Sequence, residues 1–351
     1  MKTWFLIAGT LVLLGGLIFT MSSCATGWNM GGMREEKISE ITEDFDGIAI
    51  ESDTADISFL PSEDESCKVV AYDIEKINYS VKVEDGILKI KLEDTRKWFE
   101  SIIGTTSGSL TVYLPENEYS SLSINEDTGD ITVKGFSLGN VDIKLSTGDV
   151  NLKDITCGDF SLKMSTGDTS IDGITCESFT SVGDTGDITV KNLTANGNVS
   201  IKRSTGHVSI NTANISGNLS TETDTGKNNA KDVTCSGDFE HKVNTGKSEL
   251  TNITCTNFNS EGDTGSLVMN NVIATDKFSI KRDTGDVKFN RCDAQEIYVK
   301  TDTGDVTGTL LSEKIFITKT DTGSVKVPES YSGGKCKIET DTGDIKISIA
   351  Q

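Results

Sequence analysis

The residues with the clearest potential for chemistry are aspartates in a repeated Asp-Thr-Gly triplet, which is also the signature of aspartic proteases. Those enzymes bring two copies together so that two carboxylates share one proton. Here the triplet, or a variant with Ser or Asn first, occurs twelve times, and a turn role explains every copy whereas a protease explains two at most. The sequence therefore favours a structural turn. The copies begin at Asp127, Ser146, Ser165, Asp184, Ser204, Asp224, Asn244, Asp263, Asp283, Asp302, Asp321 and Asp341.

A second acidic set directly follows the glycine of successive triplets, as at Asp130, Asp149, Asp168 and Asp187. If the repeats stack, these carboxylates lie about 4.8 Å apart and repel unless they accept hydrogen bonds or share a cation. The glycine-rich nonapeptide of calcium-binding β-rolls is absent from the sequence. We therefore predict solvated turn caps and no cofactor, with calcium binding as the alternative.

The acidic column is interrupted by basic residues. His207, Lys227 and Lys247 occupy the position after glycine in three successive repeats, and Arg203 lies nearby in sequence. Drift at solvated positions would explain this pattern. The functional hypothesis is a strip formed by Arg203, His207, Lys227 and Lys247 that contacts an anionic ligand, such as a wall polymer or a lipid headgroup.

The remaining reactive side chains fall at positions that we expect to be buried. His241 aligns with Ile143, Leu162 and Ile201, which favours a core histidine over a ligand. Four cysteines share one column nine residues after glycine, where small apolar residues also occur. Buried thiols acting as small hydrophobes are the simpler interpretation; disulfides between adjacent repeats, Cys157 with Cys176 or Cys235 with Cys255, are the alternative. No Cys-x-x-Cys or histidine pair indicates zinc.

The elements that position these residues are short strands. Successive triplets are 19 or 20 residues apart, and the residues between them alternate apolar and polar, as in Phe160, Leu162 and Met164. Period-two alternation predicts strands with one buried face, and a repeat of this length predicts a solenoid. We predict an all-β fold, a parallel β-helix or solenoid of about 12–14 coils with an N-terminal transmembrane helix, in which residues 116–351 form the repeat array.

The region before the array is less regular. Residues 41–115 are predicted to form N-terminal capping coils with an inserted hairpin, and residues 24–40 a linker. Asp85-Gly86 joins two alternating segments, which is a strong hairpin signal. Ser52 to Ile57 resembles a degraded turn, with Ala55 in place of the glycine.

The N-terminus predicts membrane attachment. Lys2 precedes an apolar run from Trp4 to Met21, which is near the lower length limit for a bilayer span. We predict that residues 1–23 are an uncleaved signal-anchor, so that the protein is a single-pass cell-membrane protein with an extracellular C-terminal domain. The alternative is a lipoprotein, because Met21 to Cys24 resembles a lipobox whose lipid would be attached to Cys24. The net charge of −21 argues against nucleic-acid binding.

With its turns, such as Ser146 to Val150 and Asp302 to Val306, and its early Asp53 to Ile57 segment, the chain resembles the bacterial putative-adhesin family, a DUF4097-like domain of unknown function common in Gram-positive bacteria. The resemblance covers roughly residues 40–351 and implies a cell-surface β-solenoid, in some cases linked to envelope stress. It supplies no catalytic residues.

We therefore predict a non-enzymatic, membrane-anchored surface solenoid acting as an adhesin or binding scaffold. Its partner would be an envelope polymer, a host surface or a membrane signalling protein. The alternatives are an envelope-stress sensor that binds partner proteins and, third, a glycan-active β-helix enzyme, which would need a non-repeating cluster of acids and bases.

Overall fold

The computed structural model describes residues 36–72, 77–95 and 108–350. Every regular element in these residues is a strand, as the alternation predicts. The strands are β1 Glu36–Ile41, β2 Gly47–Pro61, β3 Cys67–Tyr72, β4 Ile77–Glu84, β5 Ile87–Asp94, β6 Gly108–Leu114, β7 Glu118–Thr128, β8 Ile131–Thr147, β9 Val150–Thr156, β10 Asp159–Thr166, β11 Thr169–Cys176, β12 Ser178–Thr185, β13 Ile188–Ala195, β14 Val199–Thr205, β15 Val208–Ile215, β16 Leu219–Thr225, β17 Asn228–Cys235, β18 Phe239–Thr245, β19 Ser248–Thr264, β20 Leu267–Thr284, β21 Val287–Cys292, β22 Glu296–Thr303, β23 Val306–Leu310, β24 Lys314–Thr322, β25 Val325–Lys326, β26 Gly334–Thr342 and β27 Ile345–Ile349.

The predicted membrane segment, residues 1–23, and the lipidation candidate Cys24 lie outside the described residues. The part of the chain that the structure describes has no helix with the length and hydropathy needed to cross a bilayer. The predicted linker, residues 24–40, is only partly described. Its last five residues belong to β1, which pairs antiparallel with β3, so that part of the linker prediction is wrong.

The repeats stack in parallel and in register. The turn threonines form one continuous column, in which Thr128 pairs with Thr147, Thr147 with Thr166 and Thr166 with Thr185. Strands that follow the glycine pair with one another, and so do strands that precede it, as β9 does with β11 and β10 with β12. The parallel solenoid is therefore confirmed. Its twelve turn glycines delimit about eleven regular turns, fewer than the predicted 12–14 coils. At the N-terminal end antiparallel pairings occur beside parallel ones.

The core is a narrow interior filled by the inward side chains of each turn. Phenylalanines seven residues before the glycine contact one another between neighbouring turns. The rings of Phe160 and Phe179 are stacked with centroids 4.8 Å apart, whereas those of Phe258 and Phe278 meet edge to face at 5.8 Å. All four are fully buried. Because one turn cannot bury its own apolar face, the stacking of neighbours supplies most of the stability.

The backbone at two corners of most regular turns adopts a positive φ angle. The triplet glycines have φ between +128° and +156°, a region that only glycine adopts readily. A second corner, which the sequence analysis missed, lies six residues after the glycine, where Asp154, Asn192 and Asn252 are left-handed with φ of 52–55°. The signal was available, because asparagine, aspartate and glycine dominate this column and are the residues that tolerate that conformation.

The order of turns in space differs from their order in the chain at both ends. Strand β2 lies between β5 and β7 and, further along, between β6 and β8, so the turn at Ala55 is inserted between the one at Gly108 and the one at Gly129. At the other end β26 lies between β22 and β24. The C-terminal segment is therefore inside the stack and does not end it. The β4–β5 hairpin predicted at Asp85-Gly86 is confirmed.

The seven cysteines of the described residues are free thiols, and all are buried. Burial raises the pKa of Cys67 to about 11 and the pKa values of Cys255 and Cys336 to about 12. Because the thiolate is the reactive form, we expect these thiols to react with a disulfide reagent such as DTNB far more slowly in the folded protein than in the unfolded one.

The measurement is a titration of thiols before and after unfolding without reductant. Of the eight cysteines in the chain, the seven described ones should all become reactive on unfolding, and Cys24 adds an eighth thiol when it carries no lipid. A deficit of two thiols that reductant restores would show that Cys157–Cys176 or Cys235–Cys255 is a disulfide and would contradict the free-thiol interpretation.

Candidate functional site

The outer edge of the turns carries a hydrogen-bonded ladder of acidic residues. The carboxylate of each residue after the glycine accepts the backbone N–H of its counterpart in the next turn. The oxygen to nitrogen distances are 2.8 Å from Asp130 to Asp149, from Asp149 to Asp168 and from Asp168 to Asp187. The same arrangement links Asp286 to Asp305 and Asp305 to Asp344. Each carboxylate in the ladder thus stabilises the turn of its neighbour.

The described residues contain no group of three or more His, Cys, Asp or Glu side chains arranged to hold a metal ion. Calcium binding by the acidic columns stays a prediction. It would be tested by measuring the melting temperature with and without calcium, which should rise by several degrees if calcium binds.

The ladder loses its negative charge over four consecutive turns, at His207, Lys227, Lys247 and Ser266. The backbone N–H of His207 still donates to the Asp187 carboxylate, at 2.7 Å, and the ring Nδ1 of His207 accepts the backbone N–H of Lys227 at 2.9 Å. This bond requires the neutral ring with its proton on Nε2. His207 therefore replaces an aspartate as the acceptor in the ladder while removing its charge, and the two lysines add positive charge beyond it.

Beside this interruption lies a surface groove of about 550 Å³, which we call the basic groove. Lys227, Lys247 and Lys288 line it, and all three are exposed. Within the described residues none of the three forms an ion pair. Glu249 and Asp286 are the acidic residues that line the groove. The remaining lining residues are Asn229, Ser248, Ser266, Leu267, Val268 and Thr307. The groove is therefore positive at its rim on an otherwise acidic protein.

The structure corrects the predicted strip at one position. Arg203 is only 1% exposed and points into the solenoid, so it does not share a surface with His207, Lys227 and Lys247. Its Nη1 donates to the carbonyl oxygen of Lys202, and its Nη2 donates to Thr169 and to Ser181, at 3.1 Å for Ser181 Oγ. Burial lowers its pKa to about 10. The sequence signal for burial was its register, because Met164 occupies the same inward column.

Arg203 has a counterpart in Arg282, 4% exposed, whose Nη2 donates to Ser260 Oγ at 2.7 Å. Each arginine is paired in the stack with a glycine of the preceding turn, Gly183 or Gly262, whose missing side chain leaves room for the guanidinium. The same sequence pattern precedes both arginines: a Ser-x-Gly segment in one repeat is followed by Lys-Arg at the aligned position of the next repeat. Both arginines are therefore interior packing elements.

His241 is buried as expected, and its Nδ1 lies 3.0 Å from Ser260 Oγ. Burial, and then the nearby charge of Arg282, lower its pKa to about 3. The ring is therefore neutral near pH 7, and with 2% exposure it is closed to an external ligand.

Fold and site together define a repeat β-solenoid protein with an acidic ladder and one basic groove. The chain belongs to the Toastrack DUF4097 family, whose model matches residues 45–234 and again residues 229–351. A search of curated proteins found no match.

Several solved structures are similar to this chain. One is a "putative adhesin" from Bacteroides fragilis, 13% identical with a TM-score of 0.26, and the match covers 90% of this chain and 97% of that one. Another is a "putative cell adhesion protein" from Clostridium sporogenes, 10% identical with a TM-score of 0.24, covering 90% and 100%. A third, from Parabacteroides distasonis, is described as a "putative lipid binding protein", at 15% identity, a TM-score of 0.23, and 90% and 98% coverage.

Proposed function

We propose that the protein is a non-catalytic binding scaffold, held at the cell membrane by its N-terminal segment and displaying the solenoid outside the cell. The observation that carries the proposal is the outer surface of the solenoid. A hydrogen-bonded ladder of aspartates runs along it, and the ladder is interrupted beside a basic groove whose lysines have no ion-pair partner among the described residues. A repeated surface with one local exception is suited to holding an extended partner.

The charge distribution supports a partner that is recognised locally. The net charge of −21 disfavours broad contact with anionic surfaces, whereas the basic groove offers a confined positive region.

We expect the purified full chain to cosediment with isolated bacterial envelopes from which lipid has been extracted with detergent. Lipid extraction ensures that the apolar N-terminal run contributes nothing to retention. An unrelated soluble protein of similar negative charge is the control and should stay in the supernatant. Absence of retention would contradict the proposal.

Two further readouts of the same experiment separate the alternatives. Release of soluble sugars from the envelopes would indicate a glycan-active enzyme and overturn the non-catalytic proposal. Specific recovery of a membrane signalling protein from the detergent extract of the envelopes, with no retention on the lipid-free wall material, would replace the scaffold with an envelope-stress regulator.

A further inference from the structure

We propose that the basic groove binds a thin, unbranched polyanion that lies along the axis of the solenoid. This inference rests on the proposed function and specifies the chemistry of its ligand: a linear chain of phosphate or carboxylate groups. It starts from the alignment of Lys227 and Lys247 on adjacent turns with Lys288 two turns further on.

The spacing of the cations follows from the stacking. Adjacent turns are separated by about 4.8 Å, so the turns that carry Lys227 and Lys288 are about 14 Å apart along the axis. His207, one turn before Lys227, extends this set to about 19 Å. A compact monovalent anion would reach one of these groups, whereas a chain with a charge every few ångströms would reach them in succession.

The groups themselves suit such a ligand. Lys227, Lys247 and Lys288 have no ion pair with a described residue, so their charges are available. The His207 ring holds its proton on Nε2, because Nδ1 accepts the backbone N–H of Lys227. It can therefore donate a hydrogen bond to an anionic oxygen while remaining neutral. Asn229 and Ser266, which also line or border the groove, supply neutral polar groups between the cations.

The surroundings of the groove favour a thin chain over a flat anionic surface. The ladder is acidic on both sides of the interruption, ending at Asp187 and resuming at Asp286. A bilayer with anionic headgroups would bring these carboxylates against like charge, which is unfavourable within a Debye length of roughly 8 Å. A single polymer strand confined to the groove avoids most of that repulsion.

Lys288 makes the inference specific to the structure. It lies three residues after its glycine, in a different column from Lys227 and Lys247, and it lines the same groove. If only the turn column mattered, Lys288 would be irrelevant to binding. If a polymer follows the groove, the charge of Lys288 should contribute to the binding affinity.

The test measures binding of the full chain, in detergent, to fluorescently labelled polyphosphate and to labelled polygalacturonate at low salt. We expect binding to at least one polymer, and the stronger of the two identifies phosphate or carboxylate as the preferred group. The double variant Lys227→Glu with Lys247→Glu should weaken binding by about tenfold or more, and Lys288→Glu alone by about threefold, as expected for reversal of exposed charges. Added salt should weaken the wild-type complex.

The matched control is Lys134→Glu with Lys153→Glu. These lysines are also exposed and paired on adjacent turns, but they lie away from the groove and give the same change in net charge. They should leave polymer binding within about twofold, because they test only the long-range effect of net charge. Circular dichroism of every variant verifies that the solenoid is intact.

The inference is overturned if neither polymer binds, if both charge-reversal pairs weaken binding equally, or if phosphatidylglycerol in mixed micelles of the same detergent binds more tightly than either polymer through the same lysines. Each of these results leaves the scaffold proposal standing as long as the wild-type protein is retained on lipid-free envelopes. Loss of that retention would instead contradict the proposed function itself.

Discussion

Replacing Gly186 with alanine should destabilise the solenoid by about 3 kcal/mol or more, which is the largest effect that we expect from a single methyl group in this protein. Gly186 has a φ of +128°, and a Cβ built there would lie 1.9 Å from the carbonyl oxygen of Gly167 in the preceding turn. That atom belongs to the backbone and cannot move without disturbing the ladder of its own turn. Strain in the backbone and the steric overlap therefore act together.

The measurement is the unfolding midpoint, in temperature and in urea, followed by circular dichroism. Gly158→Ala is the matched control, because Gly158 lies at a corner without a positive φ and its Cβ would meet its nearest atoms at 3.1 Å. We expect that control to cost at most about 1 kcal/mol. Equal shifts for the two variants would show that the turn glycines are not under the constraint described here.

The second large effect is a loss of stability in acid that depends on His241. The folded protein keeps this ring neutral, because burial and Arg282 lower its pKa from 6.5 to about 3. Between these two values the unfolded chain binds a proton that the folded protein does not. The free energy of unfolding therefore falls as the pH falls, and this single group should remove about 3 kcal/mol between pH 7 and pH 4.

His241→Leu isolates that contribution. Leucine already occupies the same inward column at Leu162, and Ser260 keeps its hydrogen bond from Arg282 in the variant. Burial raises the pKa of Glu126 to about 7, so protonation of this residue increases the free energy of unfolding as the pH falls. Because Glu126 is present in both proteins, its contribution cancels from the comparison. Urea unfolding from pH 7 to pH 4 should show the variant losing about 3 kcal/mol less than the wild type. Parallel pH profiles would show that His241 is not held neutral by the fold.

The location of one of the two candidate basic residues at inward positions was predicted correctly and that of the other incorrectly. Alternation correctly placed His241 inside, whereas Arg203, which was predicted to belong to a surface strip, is buried. Three residues before the glycine is an inward position, and the small Gly183 of the preceding turn leaves room there for a guanidinium. The charged side chain can be buried there because hydroxyl and carbonyl acceptors at Thr169, Ser181 and Lys202 accept its hydrogen bonds.

The sequence by itself determined the strand alternation, the turn glycines, the hairpin at Asp85-Gly86 and the interruption of the acidic column at His207. These are local properties: period-two burial and the conformational freedom of glycine are set within a few residues.

Only the tertiary structure decided which turns are neighbours at the ends of the stack, where β2 and β26 are inserted between other turns. It also decided that Lys288 shares a groove with Lys227 and Lys247. The physical reason is that similar repeats offer nearly equivalent edges, so the choice of partner depends on how completely each turn buries its apolar face. The turn of β26 and β27 buries Cys336, Ile338, Ile345 and Ile347, whereas Ile315 and Ile317 of the terminal β24 remain partly exposed.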